Sequence, residues 1–562
     1  MNRIQRPSTW IALIPVMLIP CCWLWWFCGG FNPGLQPGRS GQILLILGAV
    51  LAWRHLPGMT LPVAALPLLL SLAWQGLTQT WSPIPEPGML ILVCRAAAFA
   101  TALGVGAWLM RRPEAGVPAA MGLAGLGVLI LNVLTPESPG LDLGRVLRLG
   151  YDAPFGNVNY AVHVGLPLAM VGVAFLLRTS RRQAWMLGAA TLTLSLMLGL
   201  GVAGSSPTRA IWLIAAAAVA AILVLRAPPR MHGTLLLLGA VAIIIGWLAS
   251  FTGALDPSAQ GTGNAQRIYM WRAASEALMG PQALVGYGPG SCLAILPEQP
   301  SFSGFWLSWP CWASHPHNEI LNVLLEGGVV LAGLLAWALW STLRPLWLRR
   351  DDPACSALLV GWVAAGCGAM VDGHLHEPGG LLGLALLAGL TWAHAPAEDR
   401  RLHLSPWLWL VPALALTLSV SRELLGDGGA PVSIHRRTVS RLATEDAAAQ
   451  LDELERMRRR LGPLDTTDFA RAHVLGRLGR LDESMALLAA YLRRLPVDGT
   501  AVELAARIRA AGKASPELQA AELHARQLAG AWLGAVPESH LNAAALERLK
   551  KVLATDGPDQ AH

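Results

Sequence analysis

The sequence predicts an all-α, polytopic membrane protein of about 12–13 transmembrane helices, with a large loop on the outer side and a soluble helical domain towards the C-terminus. Three observations predict it. Only 14% of the 562 residues are charged, and the mean hydropathy is +0.47, whereas a soluble domain carries roughly a quarter charged residues. Apolar stretches of bilayer length recur from Trp10 to about Ser421, and lipid cannot satisfy an open backbone, so each reads as a helix. The arginines form short clusters between these stretches rather than a stripe on one face. The net charge of +7 therefore does not indicate a nucleic-acid binder.

The spans, in order, are 10–28, 41–54, 60–77, 88–110, 117–134, 159–177, 184–204, 210–226, 233–252, 319–345, 354–373, 379–394 and 406–421. The first follows Arg3 and Arg6 and ends in bulky Trp23, Trp25, Trp26 and Phe27. It lacks a small-residue cleavage site and is read as a span rather than a leader. The second and third are short. Several Trp lie near span ends, as interfacial anchors do.

Basic residues orient the list independently. With Arg3 and Arg6 inside, the following inside connections hold Arg54; Arg111 and Arg112; Arg178, Arg181 and Arg182; Arg226 and Arg230; Arg344, Arg349 and Arg350; Arg400 and Arg401. Outside connections are richer in Pro, Gly, Trp and carboxylates, as in 78–87. Two outside segments are long, 135–158 and 253–318, and outside loops of that length are usually functional. An odd number of spans sends the C-terminal segment outside.

Two domains follow: a membrane domain over 1–422, which includes the 253–318 loop, and a soluble helical domain over 423–562. Within the latter, Glu445–Arg460 is charged with spaced Leu, and Asp468–Leu495 reads as two amphipathic helices around Gly479. The Gly479-to-Pro496 interval resembles a tetratricopeptide unit; a plain helical hairpin is the alternative.

Cys292 and Cys311 share the large outside loop and are expected to form a disulfide in an oxidising compartment, two buried thiols being the alternative. No cysteine and histidine set has zinc spacing.

Candidate chemistry gathers on the outer side. Arg209, Arg267 and Arg272 lie there against the positive-inside bias. Each could pair with a carboxylate such as Asp256, Glu276 or Glu298; the alternative is an anion site. A guanidinium suits phosphate because its planar fork donates two parallel hydrogen bonds and keeps its charge. His315 and His317 precede the tenth span, and Asn318 and Glu319 are placed to cap its helix. An imidazole, with an ordinary pKa of about 6.5, suits general-base work near neutrality. A lone loop histidine is more often plain surface; a cluster of His315, His317, Asn318 and Glu319 beside arginines favours function.

The ordered pieces resemble a family. They are Phe155-Gly156-Asn157-Val158-Asn159, Thr208-Arg209-Ala210, Arg267 to Ala274, Gly286-Tyr287-Gly288-Pro289-Gly290, and His315-Pro316-His317-Asn318-Glu319 through Gly328. Over about 150–395 this pattern is similar to the superfamily of O-antigen ligases, protein O-oligosaccharyltransferases and O-antigen polymerases.

The resemblance implies a GT-C type glycosyltransferase of the bacterial inner membrane, with active site and C-terminal domain periplasmic. It moves a glycan from undecaprenyl pyrophosphate to an acceptor hydroxyl on lipid A-core, on protein, or on a second lipid-linked glycan. It implies that Arg209 and Arg267 hold the pyrophosphate and that His317 is the essential histidine. His315, Asn318, Glu319, Arg272, Asn157 and Asn159 are support, and neither a cofactor nor a metal is expected. His374-Leu375-His376-Glu377-Pro378 resembles the protein-glycosylating branch, placing His376 and Glu377 in support as well. Two departures stand out: Thr208 replaces the usual Ser, and Val329, Val330 and Leu331 follow Gly328 where a second Gly is common. The rival readings are a polymerase, a transporter or flippase, and a non-catalytic scaffold. A transporter would want polar groups near the bilayer midplane, whereas here they crowd one face.

Overall fold

The structure is a computed structural model, and besides isolated positions it describes residues 60–110, 158–178, 209–228, 262–302, 315–371, 378–394, 400–403, 446–461, 465–494, 499–510 and 513–535. The expected spans 10–28, 41–54, 117–134, 184–204, 233–252 and 406–421, and most of the 135–158 loop, lie outside these residues.

The chain divides into two compact units. Unit one comprises Met1–Gly76, Leu90–Leu238 and Leu331–Ala430; unit two comprises Leu77–Met89, Gly239–Val330 and Pro431–His562.

In unit one, β1 (Thr60–Pro62) precedes α1 (Ala65–Thr78) and α2 (Pro85–Met110), both of which run on into or out of unit two. Then come α3 (Val158–Arg178) and α4 (Arg209–Arg226). Helix α8 (Glu319–Leu348) enters from unit two and is followed by α9 (Pro353–Ala369), α10 (Pro378–His394) and β2 (Arg400–His403). The helices fall on seven of the apolar stretches that the hydropathy pattern picks out, with ends shifted by a few residues. The start of α9 shows why: Asp352 caps it by accepting from Ala354 N, and Pro353 sits at the first helical position, where no N–H is needed.

The described chain is helical, as expected, apart from one short two-stranded ladder. Residues 60–62, read as the start of a span, form β1, which pairs antiparallel with β2 (Thr60 opposite His403). Among the described residues, only α8 is long and apolar enough to cross a membrane; the other apolar helices are shorter.

Buried side chains of α3, α4, α9 and α10 make the main core of unit one, including Met170, Val171, Ile214, Leu358, Val360 and Leu387. Packing is close enough that a Cβ on Gly361 would lie 2.4 Å from a Val171 methyl. A second core joins α2 to α10, with Phe99 edge-on to Trp392 at 6.2 Å.

Unit two contains α5 (Thr262–Ala277), α6 (Gln282–Val285), α7 (Cys292–Ile295) with a 3-10 turn at Leu296–Glu298, and the first turns of α8. It also contains α11 (Ala447–Leu461), α12 (Asp465–Arg477), α13 (Leu481–Arg494), α14 (Gly499–Ala510) and α15 (Pro516–Ala535). The turn between α12 and α13 is the one Gly479 suggests. Gly479 has φ +76°, and Arg480 N returns to Leu475 O, closing the helix end. Ser484 Oγ then donates to Ala472 O across the hairpin at 2.6 Å.

The cores of unit two are built from distant stretches. Ile84 and Ala294 share a buried cluster with Leu451, Leu454, Val474 and Leu475. Met270, Phe302 and Leu325 share another with Leu488, Tyr491 and Leu492. A boundary at 422/423 therefore does not separate the C-terminal helices from the 253–318 loop; the two lie in one unit.

Candidate functional site

Helix α5 carries Arg267, Trp271 and Arg272. Among the described residues neither arginine makes an ion pair. Glu276, offered by the sequence as a partner, turns its carboxylate to Ser301 instead, accepting from both Ser301 Oγ and Ser301 N. Asp256 lies outside the described residues. The end of α5 is also held by the Tyr287 hydroxyl, which donates to Ala277 O at 3.0 Å. Burial, and then the charge of Glu298, push the Tyr287 phenol above its ordinary range.

The histidine loop is tied to this helix. Trp271 Nε1 donates to Pro316 O at 2.9 Å. His315 is buried, His317 is half-buried, and their rings lie 4.4 Å apart, tilted by 56°. His317 has φ +48°, and it alone among the described non-glycine residues has a positive φ. Such a conformation costs on the order of 1–3 kcal/mol and persists where the surroundings over-determine it.

Beyond His317, Asn318 caps α8 as expected. Its Oδ1 accepts from Leu321 N at 3.1 Å and its backbone oxygen accepts from Asn322 N at 2.9 Å. The Glu319 carboxylate accepts from Asn322 Nδ2 at 3.0 Å. Asn322 Oδ1 in turn accepts from the Cys292 thiol at 3.4 Å. Cys311, the expected disulfide partner of Cys292, lies outside the described residues.

A break in α8 supports the loop that follows α5. Gly328 has φ +65° inside the helix. The carbonyls of Leu325 and Glu326, just before the break, accept from Tyr287 N at 2.7 Å and Gly288 N at 2.8 Å. The fully buried Glu326 carboxylate accepts from Gly290 N at 2.9 Å. Trp81 closes the other side, its indole donating to Gly286 O at 2.9 Å. A Cβ on Gly328 would lie 2.2 Å from Leu284 O, and one on Gly286 would lie 2.4 Å from Gly327 N. The glycine pattern of 286–290 and the Gly327-Gly328 pair are thus two halves of one contact.

The predicted residues fare unevenly. Arg267, Arg272, His315, His317, Asn318 and Glu319 all fall in unit two, and Trp271 links the helix of the arginines to the loop of the histidines. Arg209 opens α4 and Asn159 lies in α3, both in unit one, and neither side chain is described. Asn157, His376 and Glu377 lie outside the described residues.

Sequence reasoning missed Trp271, Asn322, Glu326 and Arg95. The signal for Asn322 and Glu326 is their spacing from Glu319, which puts three polar groups on one face of an apolar helix. Arg95 is a buried charge within α2; its guanidinium donates to Gln75 Oε1 and to Leu375 O at 3.0 Å, both inside unit one. A lone arginine in an apolar span is itself the signal.

Residues 192–338 match the family model described as O-antigen ligase. The matched stretch takes in Arg209, all of α5, the glycine loop, the histidine loop and the break in α8. The resemblance is shown over that range. No curated protein matches the chain.

Proposed function

We propose that this chain is a multi-pass enzyme of the bacterial inner membrane. It transfers an oligo- or polysaccharide from undecaprenyl pyrophosphate to an acceptor hydroxyl at the periplasmic face, as an O-antigen ligase or protein O-oligosaccharyltransferase. The observation that carries the reading is the joining of two groups within one matched stretch. A half-buried Arg267 with no ion pair among the described residues sits one helical turn from Trp271, and Trp271 holds the peptide next to His317.

Chemically, His317 takes the proton of the acceptor hydroxyl. The oxygen attacks the anomeric carbon, and the bond from that carbon to the pyrophosphate oxygen breaks with inversion. The electron pair leaves on the pyrophosphate, where Arg267 meets the developing charge; the resemblance assigns Arg209 the same task. Fixed cations at a developing anion are worth about 3 kcal/mol each in a dry site. His315 packs on His317, and Asn318 and Glu319 fix the helix start behind it. The alternative within the class is a polymerase, whose acceptor is a second lipid-linked glycan.

Product analysis tests the reading. A strain lacking the chain is complemented with wild type or H317A at matched protein level. Glycan on lipid A-core or on protein is the expected product; long chains on lipid assign the polymerase. Transfer by H317A at the wild-type rate overturns the assignment of His317.

A further inference from the structure

We infer that Trp271 is a positioning residue for the reaction: its indole N–H fixes the peptide that precedes His317 and so sets where the imidazole stands. The inference rests on the reading of His317 as the base.

The carbonyl of Pro316 and the N–H of His317 belong to one planar peptide. Rotation of His317 about φ is rotation against that plane. Trp271 Nε1 holds the carbonyl edge of the plane at 2.9 Å. On the other side of His317, Asn318 is fully buried and fixed by two bonds, from Leu321 N to its side chain and from Asn322 N to its backbone. His317 is therefore the one residue between two anchored points, and it takes the left-handed conformation that joins them, φ +48°. The cap at Asn318 belongs to the helix and would persist without Trp271. The bond at Pro316 comes from outside the loop, and losing it removes the restraint on that peptide plane, so that the φ of His317 shifts towards negative values. The ring would then leave its place. Trp271 lies four residues after Arg267 on α5, on the same helix face, so one helix sets both the anion-holding cation and the base.

The test uses the full chain in lipid nanodiscs, with lipid-linked glycan extracted from a strain that lacks the chain. W271F keeps an aromatic ring and removes the donor. Expected is a kcat about tenfold lower, since small misplacements of a reacting group cost one to two orders of magnitude, with the donor KM within about twofold. In the double variant W271F/H317A the residual rate should equal that of H317A, because the indole acts only through the imidazole. Losses that multiply in the double variant mean a merely structural role and overturn the inference. So does wild-type kcat in W271F while H317A is inactive, a result that leaves the reading of His317 intact. Wild-type kcat in H317A removes that reading and this inference with it. Should W271F not accumulate, W271H and W271L are compared at matched level. The ring N–H of W271H must then give the higher kcat, and equal rates overturn the inference.

Discussion

At the residue scale, charge and burial decide what each side chain can do. Arg267 has no carboxylate partner among the described residues, and Glu276 accepts from Ser301. R267A should therefore lower the transfer rate on the order of a hundredfold with little change in stability, since no ion pair among the described residues is lost. Measuring rate and unfolding midpoint together checks this; a loss of both in equal measure would count against an anion-holding role. Arg95 is the opposite case, a buried charge whose guanidinium donates to Gln75 and to the Leu375 carbonyl. Q75L should destabilise unit one by about 1–3 kcal/mol, the cost of removing a partner from a buried donor, and detergent unfolding would read it. Tyr287 gives the pH dependence. Its folded pKa is raised above the ordinary 10.0, by burial first and by Glu298 second. The group is neutral in both states below that value, so its contribution is complete there and is lost as pH rises through the folded pKa. Wild type minus Y287F stability should be flat up to about pH 10 and fall beyond it; a constant difference through pH 11 or so would contradict the direction.

At the element scale, the apolar helices were the most legible part of the molecule. The pattern predicts 210–226 and the helix is Arg209–Arg226; it predicts 319–345 and the helix is Glu319–Leu348. Apolar length is a long-window signal and survives local detail. Strand β1 was not legible, because Thr60-Leu61-Pro62 is as apolar as the helix it precedes and its partner β2 is remote in sequence. Of the site, the motifs were legible as residue types, but the break in α8 was not. Gly327-Gly328 reads as a family signature, and only the packing shows that the break is filled by the 286–290 loop. Two glycines separate these ideas. At Gly328 a side chain meets both a positive φ of +65° and the Leu284 carbonyl at 2.2 Å. G328A should cost about 1–3 kcal/mol from conformation alone, more from the clash, and should lower activity by loosening the loop. At Gly280, a few residues before that loop, an added Cβ would meet nothing within 4 Å, and G280A should leave both quantities unchanged. Equal effects of the two substitutions would refute the account of the break.

At the scale of the whole molecule, the expected outer segments divide between the two units. The hydropathy and arginine pattern puts 78–87, 135–158, 253–318 and the C-terminal segment on the outer side; 78–87, 253–318 and residues 431–562 belong to unit two, whereas 135–158 belongs to unit one. The division bears on the C-terminal helices. As a separate domain they would serve docking, and their removal would spare the chemistry. Instead Leu451, Leu454, Val474 and Leu475 bury Ile84 and Ala294 in one cluster, and Ala294 lies on the short helix whose Cys292 thiol donates to Asn322. Burying a Leu or Val side chain is worth about 1.5–3 kcal/mol, so these four contribute several kcal/mol against a typical net stability of about 5–15. A chain ending after residue 430 should lose transfer activity even where it still inserts in the membrane, and its 262–302 stretch should become sensitive to protease added on the outer side. L454A alone should cost about 2–5 kcal/mol as a buried truncation and weaken activity in the same direction. A truncated chain that transfers glycan at the full rate, with the loop still protected, would return the C-terminal helices to a docking role.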